Sequence, residues 1–331
     1  MANLLQSYSV APRVLTFRRA VLDDFLRHRD FLVRGYVWDA ELRRNLPEIW
    51  RTIFDEGSMI ASVTEDVGQP KDPIVMTLGA SVIVTDEFYD AMMTYEGPCI
   101  ASTVAKWVME GKRPYVPRAE IPEKLAGDGV NVAVIHNLYF GPEDFFEIDR
   151  EIWETQVASY FALHRGLKFK TYIQDCHSIG VYQWMISSGV QLRTAYPDYR
   201  EEGYPLLPAP DHPFLMGLNR EESEEAIGSR AAPMFAYYPP LLGLRPIHRE
   251  LLEPALAGRT DEELAAILCI SLSAVKKRWT ALYDHLSAAA PDLMNLRYFD
   301  TNGARGSEKR RHLLNYLRAH PEEMNPHAAL S

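Results

Sequence analysis

The sequence predicts a mixed α/β unit followed by an all-α helix-turn-helix unit. Two observations carry this prediction. Strand-like and helix-like segments alternate over residues 1–195, whereas residues 247–331 have almost wholly helical periodicity. Between them, residues 196–246 hold 9 of the 22 prolines. A chain of 331 residues has room for about two domains, which agrees with this division.

The elements of the first unit follow from residue type and spacing. Residues 17–55 have a helical pattern, with apolar positions repeating every three or four residues. Runs rich in β-branched residues predict strands at 58–66, 74–86, 130–140, 168–176 and 190–196. Helices are expected at 99–110, 147–165 and 179–189. Because the early strands follow one another and the later ones are separated by helices, we expect a mixed sheet.

Proline and glycine interrupt residues 196–246, which predicts irregular chain. The stretch also contains large apolar residues, among them Phe214, Phe235 and Tyr237. Such side chains favour burial, so a flexible linker is disfavoured. We expect this connector to pack on the surface of the first unit.

Composition excludes several classes of protein. Hydrophobic residues make up 47% of the chain, enough for a core, yet no run approaches the ~20 apolar residues of a membrane span. The N-terminus lacks the basic region of a secretion signal, and three scattered cysteines suit a reducing compartment. These features predict a cytoplasmic protein with no membrane partner. The net charge is −10, but residues 245–318 carry 12 basic and 9 acidic residues.

Residues 248–286 contain the strongest pattern in the chain. A short helix ends near Gly258, and Thr260 with Glu263 forms a capping box for a second helix. Ser271 or Ser273 can cap a third helix, whose apolar positions form one face: Val275, Trp279, Leu282 and Leu286. Basic residues near the start of that helix point away from this face, as a helix entering the DNA major groove requires.

This segment resembles the LuxR-type helix-turn-helix of bacterial transcription regulators. The matching residues are Arg249-Glu250, Leu252, Gly258, Glu263-Leu264-Ala265, Ile270-Ser271, Val275-Lys276 and Leu286. The resemblance implies base contacts from Lys276, Lys277 and Thr280. It implies phosphate contacts from Thr260, Ser271 and Arg278. It departs at Ala274, where the family usually has Thr, and at Arg278, where it often has His. Double-stranded DNA bound by a homodimer is the partner it implies, and a three-helix bundle that binds protein is the alternative.

A second basic segment, 304–320, predicts another helix. Ser307 can cap it, and Leu313, Leu314 and Leu317 form an apolar stripe. Lys309, Arg310 and Arg311 near its start could contact DNA phosphates. A packing helix with a solvated charged face explains the same pattern equally well.

The order of strands and helices over 130–196 resembles the GNAT N-acetyltransferase fold, so the fold class becomes a GNAT-like mixed sheet with flanking helices. Residues 175–190 are similar to a motif of that family. Two departures stand out. Met185 occupies the position of the family's proton-donating Tyr, and thioethers donate no proton. The segment 141–151, where the family has a glycine-rich pyrophosphate loop, has one glycine and a run of acidic residues.

Together these patterns predict a one-component transcriptional regulator whose GNAT-like domain senses a small molecule or mediates dimerisation. The alternative is an acyl-CoA-dependent N-acyltransferase with an appended DNA-binding domain. We expect no cofactor, because the missing glycine-rich loop disfavours acyl-CoA, and we name no catalytic residue. Cys99, His136 and His177 lack the close spacing of metal ligands, so no metal site is expected.

Overall fold

The computed structural model describes residues 13–30, 40–56, 58–68, 73–94, 99–140, 150–197, 213–226, 228–294 and 307–327. Within these ranges seven strands form one sheet in the order β1-β2-β3-β4-β5-β7-β6. The strands are β1 (Leu15–Arg19), β2 (Met59–Asp66), β3 (Ile74–Val84), β4 (Val130–Tyr139), β5 (Phe169–Cys176), β6 (Gln191–Ala195) and β7 (Phe214–Asn219).

Helices flank the sheet and then follow it along the chain. Those in the first part are α1 (Leu22–Arg27), α2 (Ala40–Asp55), α3 (Asp86–Thr94), α4 (Ile100–Met109), α5 (Ile121–Ala126), α6 (Arg150–His164), α7 (Ile179–Ser187) and α8 (Arg220–Glu225). Those in the last part are α9 (Pro246–Leu256), α10 (Asp261–Ile267), α11 (Leu272–Ala289), α12 (Pro291–Met294) and α13 (Ser307–Ala319). Single 3-10 turns lie at Ala232–Phe235 and Pro321–Met324.

The sheet is mixed, as the sequence predicts. Strands β1 to β4 pair with their sequence neighbours in antiparallel fashion. Strands β4 and β5 are parallel, and α6 makes the crossover between them. Strand β7 then pairs antiparallel with both β5 and β6.

The prediction that residues 17–55 begin with a helix is wrong at its start. Leu15–Arg19 is a strand whose residues alternate between half-buried and exposed, and Arg18 lies opposite Val63 of β2. The guanidinium of Arg18 bridges Asp24 and Glu65, so it ties β1 to both β2 and α1. Such long-range pairing decides the conformation of a segment whose local pattern suits a helix.

The connector is not irregular throughout. Phe214–Asn219 forms β7, which lies between β5 and β6 instead of on the surface. Phe214, Leu215 and Met216 are all buried, consistent with the expectation that these side chains need burial. Asn219 ends the strand and caps α8 by accepting a hydrogen bond from the Glu222 amide.

Apolar side chains form three clusters. One fills the space between the sheet and helices α1, α2 and α4, and it includes Trp50 and Ile100. A second lies on the opposite face, under α6 and α7. A third occupies the C-terminal helices and contains Val275, Trp279, Leu282 and Leu286, the apolar face predicted for the third helix of that unit.

Specific hydrogen bonds join the C-terminal residues to the sheet. Arg19 donates from Nη2 to the carbonyl of Pro321 at 2.9 Å and to Oδ1 of Asn325 at 2.6 Å. Asn325 in turn donates from Nδ2 to the carbonyl of Leu163, near the end of α6, at 2.7 Å. At the surface of the protein, Arg118 forms an ion pair with Glu253 of α9. We call the Arg19–Asn325–Leu163 contacts the clasp. Across the described ranges, no helix has both the length and the apolar character needed to cross a membrane.

Candidate functional site

The sheet opens at one place. Strands β4 and β5 pair only between Val130–Val134 and Phe169–Gln174. Beyond that point β4 continues beside β3 as far as Tyr139, while β5 continues beside β7 as far as Cys176. A bulge at Ile135 bends β4 where the two strands separate. In parallel-strand folds, ligands bind at such carboxyl-terminal openings.

A cavity of about 670 Å³ lies beside this opening, under helices α6 and α7. Its size falls in the range that accommodates a small-molecule ligand. Much of the lining is apolar, and Trp153 of α6 meets Trp184 of α7 edge to face with ring centroids 5.1 Å apart. Val157 and Met185 complete this apolar part. Arg150 and Arg230 are exposed residues of the lining, and Arg150 forms an ion pair with Glu154 at 2.7 Å.

Two hydroxyl groups in the lining are buried and, among the described residues, have no hydrogen-bond partner: Tyr160 Oη and Ser188 Oγ. Leaving a buried hydroxyl without a partner costs about 1–3 kcal/mol. Burial raises the pKa of Tyr160 well above its usual value, so the phenol stays protonated and able to donate. A ligand with hydrogen-bonding groups would satisfy both hydroxyls.

A polar layer lies between α6 and the sheet. Ser159 Oγ is 3.0 Å from Ser62 Oγ, and Gln156 accepts hydrogen bonds from Thr64 and Thr77. One turn further along α6, His164 Nε2 is 2.5 Å from Ser81 Oγ. Burial lowers the pKa of His164 to about 3, so the imidazole is neutral. Helices that pack on a sheet ordinarily bury apolar residues here.

Asp175 lies at the carboxyl end of β5, next to the opening. Its Oδ2 accepts a hydrogen bond from the amide of Ile100, the first residue of α4, at 2.5 Å. Burial raises the pKa of Asp175 to about 7, and the amide hydrogen bonds from Ile100 and Cys99 oppose that shift. A carboxyl group with a pKa near neutrality can both accept and release a proton at physiological pH.

Part of the segment 175–190 lines the cavity. Ser178 caps α7 by accepting a hydrogen bond from the Val181 amide at 3.3 Å, and Met185 lines the cavity. The acidic segment 141–149 lies outside the described residues.

Two of the three residues considered as metal ligands, His136 and Cys99, are buried in different surroundings. His136 is buried against the rings of Phe25 and Trp50, and burial lowers its pKa to about 3. Cys99 is buried at the start of α4, with a φ of 88°. In the part of the chain that the structure describes, no three His, Cys, Asp or Glu residues form a group that could hold a metal ion.

The six residues predicted to contact DNA lie on neighbouring helices of the C-terminal unit. Lys276, Lys277 and Thr280 are exposed on α11. Ser271 caps α11 by accepting a hydrogen bond from the Ala274 amide at 3.2 Å, and Thr260 forms the predicted capping box with Glu263. Arg278 is half-buried and 3.4 Å from Glu250, so part of its charge is already paired. These positions remain predictions for DNA contact.

In the second basic segment, helix α13, one of the basic residues near the start packs against neighbouring helices. Arg310 donates to Asp261 and to the carbonyl of Arg259, and its guanidinium lies 4.5 Å from the Trp279 ring centroid. These contacts hold α13 against α10 and α11. Arg311 and Lys309 are exposed.

No sequence pattern pointed to Ser81, His164 or Asp175 as site residues. One signal was available for α6. The buried face of this helix holds Ile152, Gln156, Ser159, Leu163 and His164, so three of its five positions are polar. Polar residues on the buried face of a helix indicate either a hydrogen-bonded network or a site. No local pattern identifies Ser81 or Asp175, because their partners are distant in sequence.

Comparison with known proteins gives only weak similarities, all of them to solved structures. No protein-family model and no curated protein sequence matches the chain. Among solved structures, a Vibrio cholerae spermidine N-acetyltransferase chimera has a TM-score of 0.36 and 8% identity, covering 64% of this chain and 98% of its own. A Drosophila melanogaster polyamine N-acetyltransferase has a TM-score of 0.36 and 13% identity, and the match covers 62% of this chain and 100% of that one. A mosquito arylalkylamine N-acetyltransferase-like protein has a TM-score of 0.35 and 14% identity, and the match covers 62% of this chain and 100% of that one.

Proposed function

We propose that the chain is an acyl-CoA-dependent N-acyltransferase whose acyl thioester binds where β4 and β5 separate. The observation that carries this proposal is the cavity of about 670 Å³ at the opening of the sheet. Beyond Val134, β4 has no pairing with β5. An extended amide-containing arm, such as pantetheine, can hydrogen-bond to a strand edge of this kind.

The residues of the cavity suit a thioester arm in three respects. Trp153, Val157 and Met185 offer apolar surface to an acyl chain and a sulfur atom. Tyr160 and Ser188 offer hydroxyl groups that have no partner among the described residues. Arg150 and Arg230 are the exposed cations in the lining, and they would attract phosphate groups. The acidic run at 141–149 opposes that attraction, so we expect moderate affinity for the nucleotide end.

Binding and transfer are tested separately with the full chain. Calorimetry with acetyl-CoA should show binding, and thiol release in the presence of a panel of primary amines should show transfer. Val157→Trp fills the cavity and should reduce affinity at least about tenfold, equivalent to about 1.4 kcal/mol. Ile186→Trp, on the exposed side of α7, is the matched control and should bind as the unmodified chain does. If acetyl-CoA does not bind, or binds both variants equally, the proposal fails.

A second function, sequence-specific DNA binding, is favoured by a separate observation. Lys276, Lys277 and Thr280 are exposed on the helix that follows the turn, and a capped N-terminus starts that helix at Ser271. Phosphate neutralisation would supply most of the affinity, and each good base contact would add about 1–3 kcal/mol of discrimination. With so few cations per chain, binding requires a homodimer on two half-sites. The acyl thioester would then be the small-molecule effector.

The test is a genomic DNA pull-down with the full chain beside Lys276→Ala/Lys277→Ala. Arg43→Ala/Arg44→Ala is the matched control, because it removes the same charge from exposed positions of α2. Fragments that share a two-fold motif should be enriched by the unmodified chain and the control, but not by the lysine variant. Equal enrichment by all three would assign the signal to nonspecific charge and exclude this function.

A further inference from the structure

A serine and a histidine meet at the boundary between α6 and the sheet. Ser81 lies in β3 and His164 is the last residue of α6, and both side chains are buried. The Oγ–Nε2 distance is 2.5 Å. Two other serines of the polar layer, Ser62 and Ser159, pair with each other and not with a base.

The hydrogen bonds fix the tautomer of His164. Its Nδ1 is 2.7 Å from the carbonyl oxygen of Tyr160, and a carbonyl can only accept. Nδ1 therefore carries the proton. Because the ring is neutral, Nε2 is an acceptor, and Ser81 donates its hydroxyl hydrogen to it at 2.5 Å rather than to the carbonyl oxygen of Ile60 at 3.4 Å. A nucleophile, a base and a group that orients the base are thus arranged as in enzymes that activate serine.

The pair belongs to the cavity and not only to the core. Ser81, His164 and Tyr160 all line it. The Tyr160 ring stacks on the imidazole with centroids 4.0 Å apart, and its hydroxyl has no partner among the described residues. A buried polar pair that served packing alone could be replaced by apolar side chains at little cost. Here it stands beside an available hydrogen-bond donor in a space large enough for a ligand.

We propose that Ser81 is a nucleophile that accepts the acyl group from a thioester and forms an acyl-enzyme, with His164 as its base. This inference rests on the proposed function, because the thioester is the one that would bind in the cavity. It adds a covalent intermediate to the transfer reaction and predicts a second activity, hydrolysis of small activated esters.

The bonds of the first half-reaction balance as follows. Ser81 Oγ attacks the carbonyl carbon of the thioester, and its proton passes to His164 Nε2. A C–O bond forms, the C–S bond breaks, and the thiolate leaves with the proton returned from Nε2. In the second half-reaction an amine attacks the acyl ester and a C–N bond forms. His164 removes the proton of the amine and returns it to Ser81 as the C–O bond breaks.

The buried surroundings of His164 stabilise a charged imidazole only when a negative charge forms beside it during the reaction. Burial makes His164 a weak base in the resting protein, as its lowered pKa indicates. A negative charge on the carbonyl oxygen of the tetrahedral intermediate would stabilise the adjacent imidazolium. The free hydroxyl of Tyr160 is a candidate donor to that oxygen, as in an oxyanion hole.

The experiment traps the intermediate in the full chain. The protein is mixed with acetyl-CoA or with p-nitrophenyl acetate in the absence of amine, quenched in acid and mapped by peptide mass spectrometry. We expect an acetyl group on Ser81 from both reagents. Ser81→Ala should lose the adduct and about 10³-fold in transfer rate, whereas Ser223→Ala, at a buried serine of α8 that does not line the cavity, should keep both within about twofold. Ser81→Cys restores a nucleophile of similar size and should be acylated, which separates chemistry from folding.

The outcomes distinguish this inference from the proposed function. If acetyl-CoA binds and is turned over but Ser81→Ala transfers as fast as the unmodified chain, the acyl-enzyme is excluded and the acyltransferase stands. If acetyl-CoA does not bind yet p-nitrophenyl acetate acylates Ser81, the nucleophile stands and its thioester donor is wrong. If neither reagent modifies Ser81 and Ser81→Cys is also inert, the inference is overturned.

Discussion

Single side chains decide the electrostatics of the opening, and Asp175 is the clearest case. Its carboxyl group gives up the solvation of bulk water yet accepts two amide hydrogen bonds at the start of α4. Burial raises the pKa of the carboxyl group and the hydrogen bonds lower it, and burial has the larger effect. The group therefore binds a proton more tightly in the folded chain than in the unfolded chain.

Asp175→Asn tests this balance through stability. The folded-state pKa is about 7 against 3.8 unfolded, so the folded chain binds more protons between these values. Its stability should therefore fall as the pH rises from about 4 to about 7 and then level off. Asn carries no charge, so the variant should be more stable than the unmodified chain by about 2–4 kcal/mol at pH 8 and nearly equal at pH 4. Urea unfolding at both pH values measures this difference.

Asp86→Asn serves as the control. The ammonium groups of Lys170 and Lys124 hold the pKa of Asp86 well below its usual value, so Asp86 stays charged across that interval. Its substitution should cost a similar free energy at pH 5 and pH 8. A difference between Asp175→Asn and the unmodified chain that does not change with pH would contradict the assignment.

At the scale of elements, the packing of α6 on β3 depends on Gly79. A Cβ atom at this position would lie 2.1 Å from Nε2 of Gln156, which Thr64 and Thr77 hold in place. Gly79→Ala should therefore displace Gln156 and break these hydrogen bonds, at a cost of about 1–3 kcal/mol. The double variant Gly79→Ala/Gln156→Ala removes the collision and should be more stable than the sum of the single changes predicts. Chemical denaturation of the unmodified chain, the two single variants and the double variant gives the four free energies of unfolding. If the effects of the two single changes simply add in the double variant, the collision is contradicted.

The elements also show how far sequence reasoning extends. The strands with a strong β-branched pattern, the helix at α6, the capping box at Thr260 and a serine N-cap for α11 could be predicted, because each depends on residues a few positions apart. β7 could not, since Phe214–Asn219 becomes a strand only by pairing with β5 and β6. β1 is a strand for the same reason. The Ser81–His164 pair joins residues 83 positions apart, which no local pattern reveals.

At the scale of the whole molecule, the clasp connects the C-terminal residues to the helix that covers the cavity. Asn325→Ala would remove the partner of the Leu163 carbonyl and one acceptor of the buried Arg19 guanidinium. Breaking such buried hydrogen bonds should cost about 2–4 kcal/mol. Hydrogen exchange should then increase at the end of α6. Glu253→Ala, which breaks the surface ion pair with Arg118 and leaves the hydrogen bonds of the clasp in place, should cost less than about 1 kcal/mol. Equal costs for the two variants would mean that the clasp adds nothing beyond surface attraction.

The position of β7 also sets an order of events during synthesis. A ribosome that has released residues up to Ala195 has delivered six strands, but β6 then lacks its neighbour and β5 is an open edge. An unpaired edge strand invites association with other chains. The seven-stranded sheet can be completed only after Asn219, the last residue of β7, has left the ribosome. The C-terminal helices are synthesised after that point. Translation through the proline-rich stretch is therefore the interval in which this chain most needs protection by a chaperone.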